Sequence, residues 1–201
     1  MKAVIIILIV LLVLFLLYIL CLRCRRGKED WAHFRKWRYA HRGFHDREKG
    51  IPENSLAAFK RAASNGFGAE LDVHLMKDGK LAVIHDASLL RTAGADVYIE
   101  DLTAGELENY RLEGTEQRIP LLEEVLPLFV GRAPLIVELK AERGNAAALA
   151  AATCAVLDKY KVDCCVESFD PRCLMWLWQN RPDVIRGQLS EDFPAHGDAQ
   201  N

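Results

Sequence analysis

Pro134-Leu135-Ile136-Val137-Glu138-Leu139-Lys140 is an apolar run that turns charged at its far end, and Ala69-Glu70-Leu71-Asp72-Val73-His74-Leu75 carries its charges in a similar apolar frame. Short runs rich in branched residues read as strands buried on both faces. Glu70 and Asp72 are two apart, as are Glu138 and Lys140, so each pair shares one face of its strand. Working outward, Tyr39-Ala40 reads as a strand with a tight exit at His41-Arg42-Gly43. Leu81 to Ile84, Val162 to Glu167 and Val184 to Leu189 read as further strands. Pro52-Glu53-Asn54-Ser55 opens a helix through a capping residue, and Leu56, Phe59, Ala62 and Ala63 repeat on one face until Gly66. Two helical patterns fall between Thr103 and Val130, broken near Arg118-Ile119-Pro120. Asn145 to Lys161 and Arg172 to Gln179 read as helices. Strands alternating with helices predict an α/β protein with a mainly parallel sheet.

One connection breaks the alternation. Met76 to Lys80 is too short for a helical crossover, which needs about a dozen residues. The Lys77-Asp78-Gly79-Lys80 turn suits a hairpin centred between Asp78 and Gly79, which would set His85 opposite Asp72. An extended return down the sheet would bring both residues to the same sheet edge. Either geometry makes them neighbours.

The chain has 201 residues, of which 51% are hydrophobic and 27% charged, with a formal net charge of -2. These values exclude a collagenous or largely disordered protein, and the charge argues against general nucleic-acid binding. Among the first 22 residues only Lys2 falls outside the hydrophobic set. Ala3 to Leu22 matches the length of a membrane span and lacks the features of a cleaved signal. Arg23, Arg25, Arg26 and Lys28 follow it, so positive residues predict a single-pass anchor with the main domain in the cytoplasm. Cys21, Cys24, Cys154, Cys164, Cys165 and Cys173 show no complete metal-site spacing and read as reduced, structural thiols.

The polar residues gather at strand ends: His41 and Arg42 after the first, Glu70 and Asp72 in the second, His85 after the third, Glu138 and Lys140 at the fourth. Strand carboxyl ends are where a parallel barrel collects its catalytic groups. Carboxylates packed together repel, and a hard cation such as Mg²⁺ or Ca²⁺ relieves them. Histidine suits proton transfer near neutrality, while arginine and lysine match phosphate oxygens. The set favours phosphodiester cleavage.

His41-Arg42-Gly43, Pro52-Glu53-Asn54-Ser55 with Ala58-Phe59, Glu70-x-Asp72-Val73, Lys77-Asp78-Gly79, His85-Asp86, Glu138-Leu139-Lys140 and Ser168-Phe169-Asp170 together resemble the glycerophosphodiester phosphodiesterase family over residues 39 to about 190. The resemblance implies a TIM-type (β/α) barrel that hydrolyses glycerophosphodiesters to glycerol 3-phosphate and an alcohol. It implies Glu70, Asp72 and Glu138 as ligands of Ca²⁺ or Mg²⁺, His41 and His85 as general acid and base, and Arg42 and Lys140 as phosphate ligands. Glu53 reads as an acid at a helix N-terminus, His45 and His74 as surface or supporting residues, and Trp176 and Trp178 as packing; His33 and His196 are unassigned. The expected organisation is an anchor over 1–22, a basic linker over 23–38 and a barrel domain over 39–201. That last segment has 163 residues, against about 250 for a usual barrel, and only six strands of eight are legible. The barrel is therefore expected to be incomplete at its C-terminal side. Two rival readings are a phospholipase-like enzyme acting on intact lipids and an inactive fragment or binding module.

Overall fold

The computed structural model describes residues 2–22 and 30–191. It divides into two compact units, Met1–Lys36 and Trp37–Asn201. The basic residues Arg23, Arg25, Arg26 and Lys28, as well as Cys24 and His196, lie outside the described residues.

The first unit holds helix α1 (Lys2–Leu22) and the short helix α2 (Asp30–Phe34). The apolar side chains of α1 from Val4 to Leu20 are exposed. Among the described residues no helix is long and apolar enough to cross a membrane, so the expected anchor gains no support from the structure.

The second unit is an α/β sheet with strands β1 (Tyr39–Ala40), β2 (Gly68–Leu75), β3 (Leu81–Val83), β4 (Leu135–Leu139), β5 (Cys164–Ser168) and β6 (Arg186–Gln188). The order is β1-β2-β4-β5-β6 with every neighbour parallel, and β3 pairs off this path, antiparallel to β2. All six expected strands are present: five lie on the parallel path, and the sixth, β3, is the return arm of a hairpin. The physical reason is the Met76–Lys80 turn, closed by bonds from Met76 N to Lys80 O and from Gly79 N to Met76 O, which leaves no chain for a crossover. The register also differs by one residue from the expected one. Val73 pairs with Val83, and Ile84 N donates to Asp72 O, so Ile84 rather than His85 faces Asp72.

The helices are α3 (Leu56–Ser64), α4 (Leu90–Ala93), α5 (Ala104–Leu107), α6 (Leu122–Val125), α7 (Ala146–Tyr160) and α8 (Pro171–Asn180). Ser55 caps α3 by accepting from Ala58 N, and Asp170 caps α8 by accepting from Arg172 N. The two faces of the sheet carry different chemistry. Ala69, Leu71 and Val73 of β2, Leu135, Val137 and Leu139 of β4 and Val166 of β5 are buried in one core with Phe59, Phe129, Leu149 and Leu177 of the helical layer. Their alternates Glu70, Asp72, Glu138 and Glu167 point to the other face. A second apolar cluster, containing Met76, Ala82, Ile84, Leu89 and Ile99, lies beneath the segment that follows β3. Trp176 packs against the main core, whereas Trp178 is 62% exposed and is not a packing residue, because its position on α8 turns outward.

Candidate active site

The site begins with a sharp turn. Arg42 has φ +55° and Gly43 φ +79°, and Gly43 N closes the turn by donating to Ala40 O. A Cβ on Gly43 would lie 2.8 Å from the Ala58 Cβ of α3, so glycine is required for both conformation and space. The turn aims the Arg42 main-chain N–H at Glu70 Oε2, 2.9 Å away, and sets His41 Nε2 3.9 Å from the same oxygen. Asn54, at φ +52° and almost fully buried, donates its main-chain N–H to Arg42 O and its side-chain amide to Asp72 Oδ2. The Pro52–Ser55 stretch therefore buttresses the first strand's exit as well as starting α3.

Parallel register carries the acidic residues across the sheet. Asp72 pairs with Glu138, and Glu138 with Glu167, so three carboxylates form one row with Glu70 a pleat below. Oxygens of Glu70, Glu138 and Glu167 lie within 4.8 Å of one another. Asp72 stands beside them but faces cations: Lys140 Nζ is 3.1 Å from its Oδ1 and Arg42 Nε 3.6 Å from its Oδ2. Lys140 Nζ also lies 2.6 Å from Glu138 Oε1. All four carboxylates are thus gathered, but Glu167 was not among the site residues expected from the sequence. Its one signal is a carboxylate directly before Ser168 at the end of an apolar strand.

The electrostatics separate the four. Burial and the charges of Asp72, Glu138 and Glu167 push Glu70 up to about 8. Burial raises Glu138 despite Lys140, and burial with the Glu138 and Asp72 charges raises Glu167. Burial also acts to raise Asp72, but Lys140 and the Asn54 amide outweigh it and hold that carboxyl below its usual range. Glu70 Oε1 is buried with no hydrogen-bond partner. A trio of crowded carboxylates with an orphaned buried oxygen fits a hard divalent cation.

His85 follows β3, and its Nδ1 lies 2.6 Å from Asp86 Oδ1, which leaves Nε2 for proton exchange. Asp86 is bound in turn by Arg91, whose other end meets Glu53 Oε1 at 2.6 Å; Glu53 also accepts from Arg42 at 3.1 Å. Glu53 is therefore a bridge between two arginines and not simply a helix-terminal acid. Burial and the Arg42 charge lower the His41 pKa, with His85 adding to the effect. His45 is exposed, while His74 is 1% exposed, so the surface alternative for His74 fails. Cys154, Cys164, Cys165 and Cys173 are free thiols.

A parallel α/β sheet that gathers carboxylates, histidines and phosphate-matching cations at its strand ends is the architecture of barrel-class proteins with a polar site at the mouth. The particular assignment follows from residues 41–185, which match the model of the glycerophosphoryl diester phosphodiesterase family, and the chain belongs to that family. It is 41% identical over 109 residues to a glycerophosphodiester phosphodiesterase of Bacillus altitudinis, covering 51% of this chain and 43% of that protein. It is 39% identical over 101 residues to lysophospholipase D GDPD1 of Rattus norvegicus, covering 44% of this chain and 32% of that protein. An Oleispira antarctica phosphodiesterase solved with the product sn-glycerol-3-phosphate superposes with a TM-score of 0.68 at 28% identity, over 76% of this chain and 65% of that one. The chain thus spans less than half the length of the curated relatives it matches.

Proposed function

We propose that the chain carries the site of a divalent-cation-dependent phosphodiesterase that hydrolyses glycerophosphodiesters to glycerol 3-phosphate and an alcohol. The observation that carries this reading is the meeting of His41, the Arg42 turn, Lys140 and the Glu70–Glu138–Glu167 trio at the sheet rim. In this reading Arg42 and Lys140 hold the phosphate. His41 and His85 exchange protons with the attacking hydroxyl and the leaving alkoxide, and Asp86 orients His85. Glu70, Glu138 and Glu167, with Asp72 alongside, would hold Ca²⁺ or Mg²⁺, which would neutralise charge developing on the phosphoryl oxygens. The glycerol 3-phosphate bound in the Oleispira antarctica enzyme supports the choice of substrate class.

The N-terminal segment belongs to the same proposal: a single-pass anchor with the site in the cytoplasm. Its support is the sequence alone, the near-uniform apolar run from Ala3 to Leu22 and the basic residues that follow. Flotation with vesicles checks it; full recovery in the aqueous fraction overturns it.

The lysophospholipase D relatives favour a second reading, in which a lysophospholipid is the substrate. The deciding experiment compares alcohol release from glycerophosphocholine, lysophosphatidylcholine and phosphatidylcholine with Ca²⁺, Mg²⁺ or a chelator. Preference for glycerophosphocholine supports the first reading, and preference for either lipid replaces it. Activity untouched by His41→Ala and Glu70→Gln would remove the site assignment.

A further inference from the structure

His74 sits on the same face of β2 as Glu70 and Asp72, one pleat further along, where the strand has passed the end of β4 and pairs with β3 alone. Its cross-strand partner is Ala82, a small side chain that leaves room for a ring. Around it lies the apolar cluster of Met76, Ala82 and Ile84, and a leucine would be the simpler occupant. An imidazole in such surroundings costs free energy unless both ring nitrogens are satisfied. Both are: Nδ1 lies 2.7 Å from Glu100 Oε1, and Nε2 lies 3.2 Å from the main-chain oxygen of His85.

The second contact fixes the chemistry. A carbonyl oxygen only accepts, so Nε2 must carry a proton. Nδ1 and Glu100 Oε1 then share the pair's other proton across the 2.7 Å contact. Glu100 comes from the turn Ile99–Asp101, and Asp101 is bound by Arg143 of the loop after β4. A residue buried in the sheet thus holds the main chain of the very residue whose ring has no strand to hold it.

We propose that His74 is a positioning residue for this site: it donates to the His85 carbonyl, with Glu100 holding its Nδ1, and so sets where the His85 ring meets the phosphodiester. The role rests on the phosphodiesterase reading above. His74→Leu removes the donor; His74→Gln puts an amide N–H near the place of Nε2; Glu100→Ala releases the ring from outside the sheet. The three variants, alone and in a His85→Ala chain, are assayed on glycerophosphocholine with Mg²⁺, and hydrogen exchange is followed over residues 84–90.

His74→Leu lowers kcat by about 10- to 100-fold with KM within about twofold, the scale of an ångström's misplacement. His74→Gln recovers most of that loss, Glu100→Ala shows part of it, and His74→Leu adds nothing once His85 is alanine. Exchange over 84–90 quickens in His74→Leu and Glu100→Ala. Equal losses in both backgrounds, or no recovery by glutamine in a chain that melts normally, reduce His74 to a structural residue. Unchanged exchange removes the tether. A wild-type chain without any phosphodiesterase activity overturns the functional reading and the catalytic half of this proposal, while exchange still decides the tether.

Discussion

At the scale of single residues, the site separates groups that already have partners from groups that lack them. Asp72 is balanced by Lys140, Arg42 and Asn54, whereas Glu70 keeps an orphaned oxygen among like charges. In the proposed reading, cation affinity should therefore depend on Glu167 as well as on Glu70 and Glu138. Glu167→Gln is expected to weaken Ca²⁺ or Mg²⁺ binding by about tenfold, read by calorimetric titration; an unchanged affinity excludes Glu167 from the site. His85→Ala should reduce kcat by roughly 10²-fold or more, and Asp86→Asn by less, because it disturbs only the ring's orientation. The sequence displays most of these residues openly, since charged groups inside apolar strands have little structural reason to be there. Glu167 escaped because a single carboxylate at a strand end is commonplace. Only the register against Glu138 gives it neighbours.

At the scale of elements, the glycine turn after β1 is constrained both in conformation and in space. Gly43→Ala forces a side chain into a left-handed conformation and against Ala58, at a cost of about 1–3 kcal/mol or more. A thermal melt reads the loss directly; a variant as stable as the parent would mean that α3 shifts to make room. The helix α3 was legible from its capping residue and apolar spacing, α7 and α8 from their sequence patterns, and β2 and β4 from their composition. The five residues from Met76 to Lys80 excluded a helical crossover but left a hairpin and an extended return both open. The hairpin's register was not legible, because a turn rich in Lys, Asp and Gly accepts more than one alignment. Side-chain packing settles it, with Ala82 and Ile84 on the face of the second apolar cluster and Leu81 and Val83 in the main core. The roles of His74 and Glu53 were hidden for a related reason. Their partners lie on segments 26 and 38 residues away in the chain, outside any local pattern.

At the scale of the whole molecule, one face of the sheet holds the scaffold together and the other holds the charges. Glu70 has an ordinary value of 4.5 and is raised to about 8 in the fold, so the folded chain binds its proton more tightly than the unfolded chain. Its contribution to stability is full below about 4.5 and is lost as pH rises through about 8. Glu138 and Glu167 are raised in the same direction, while the contribution of Asp72, whose carboxyl is lowered, persists across this window. The metal-free chain should therefore melt at progressively lower temperature between pH 5 and 8, and millimolar Ca²⁺ or Mg²⁺ should flatten the decline. A melting temperature that rises over this range, or ignores the cation, contradicts the charge distribution described here.

The β2–β3 hairpin has a consequence for how the chain tolerates changes of length. His85 hangs from the returning arm, so its height at the rim is counted along the hairpin like teeth on a rack. Removing two residues from each arm would leave the Asp72–Ile84 rung and the facing of the remaining side chains intact and lower the wall above the site. Removing a single residue from the Met76–Lys80 turn slides every rung by one and exchanges the side of β3 in the main core with the side in the second apolar cluster. Length changes in this hairpin should be tolerated in steps that preserve parity and rejected in steps that break it.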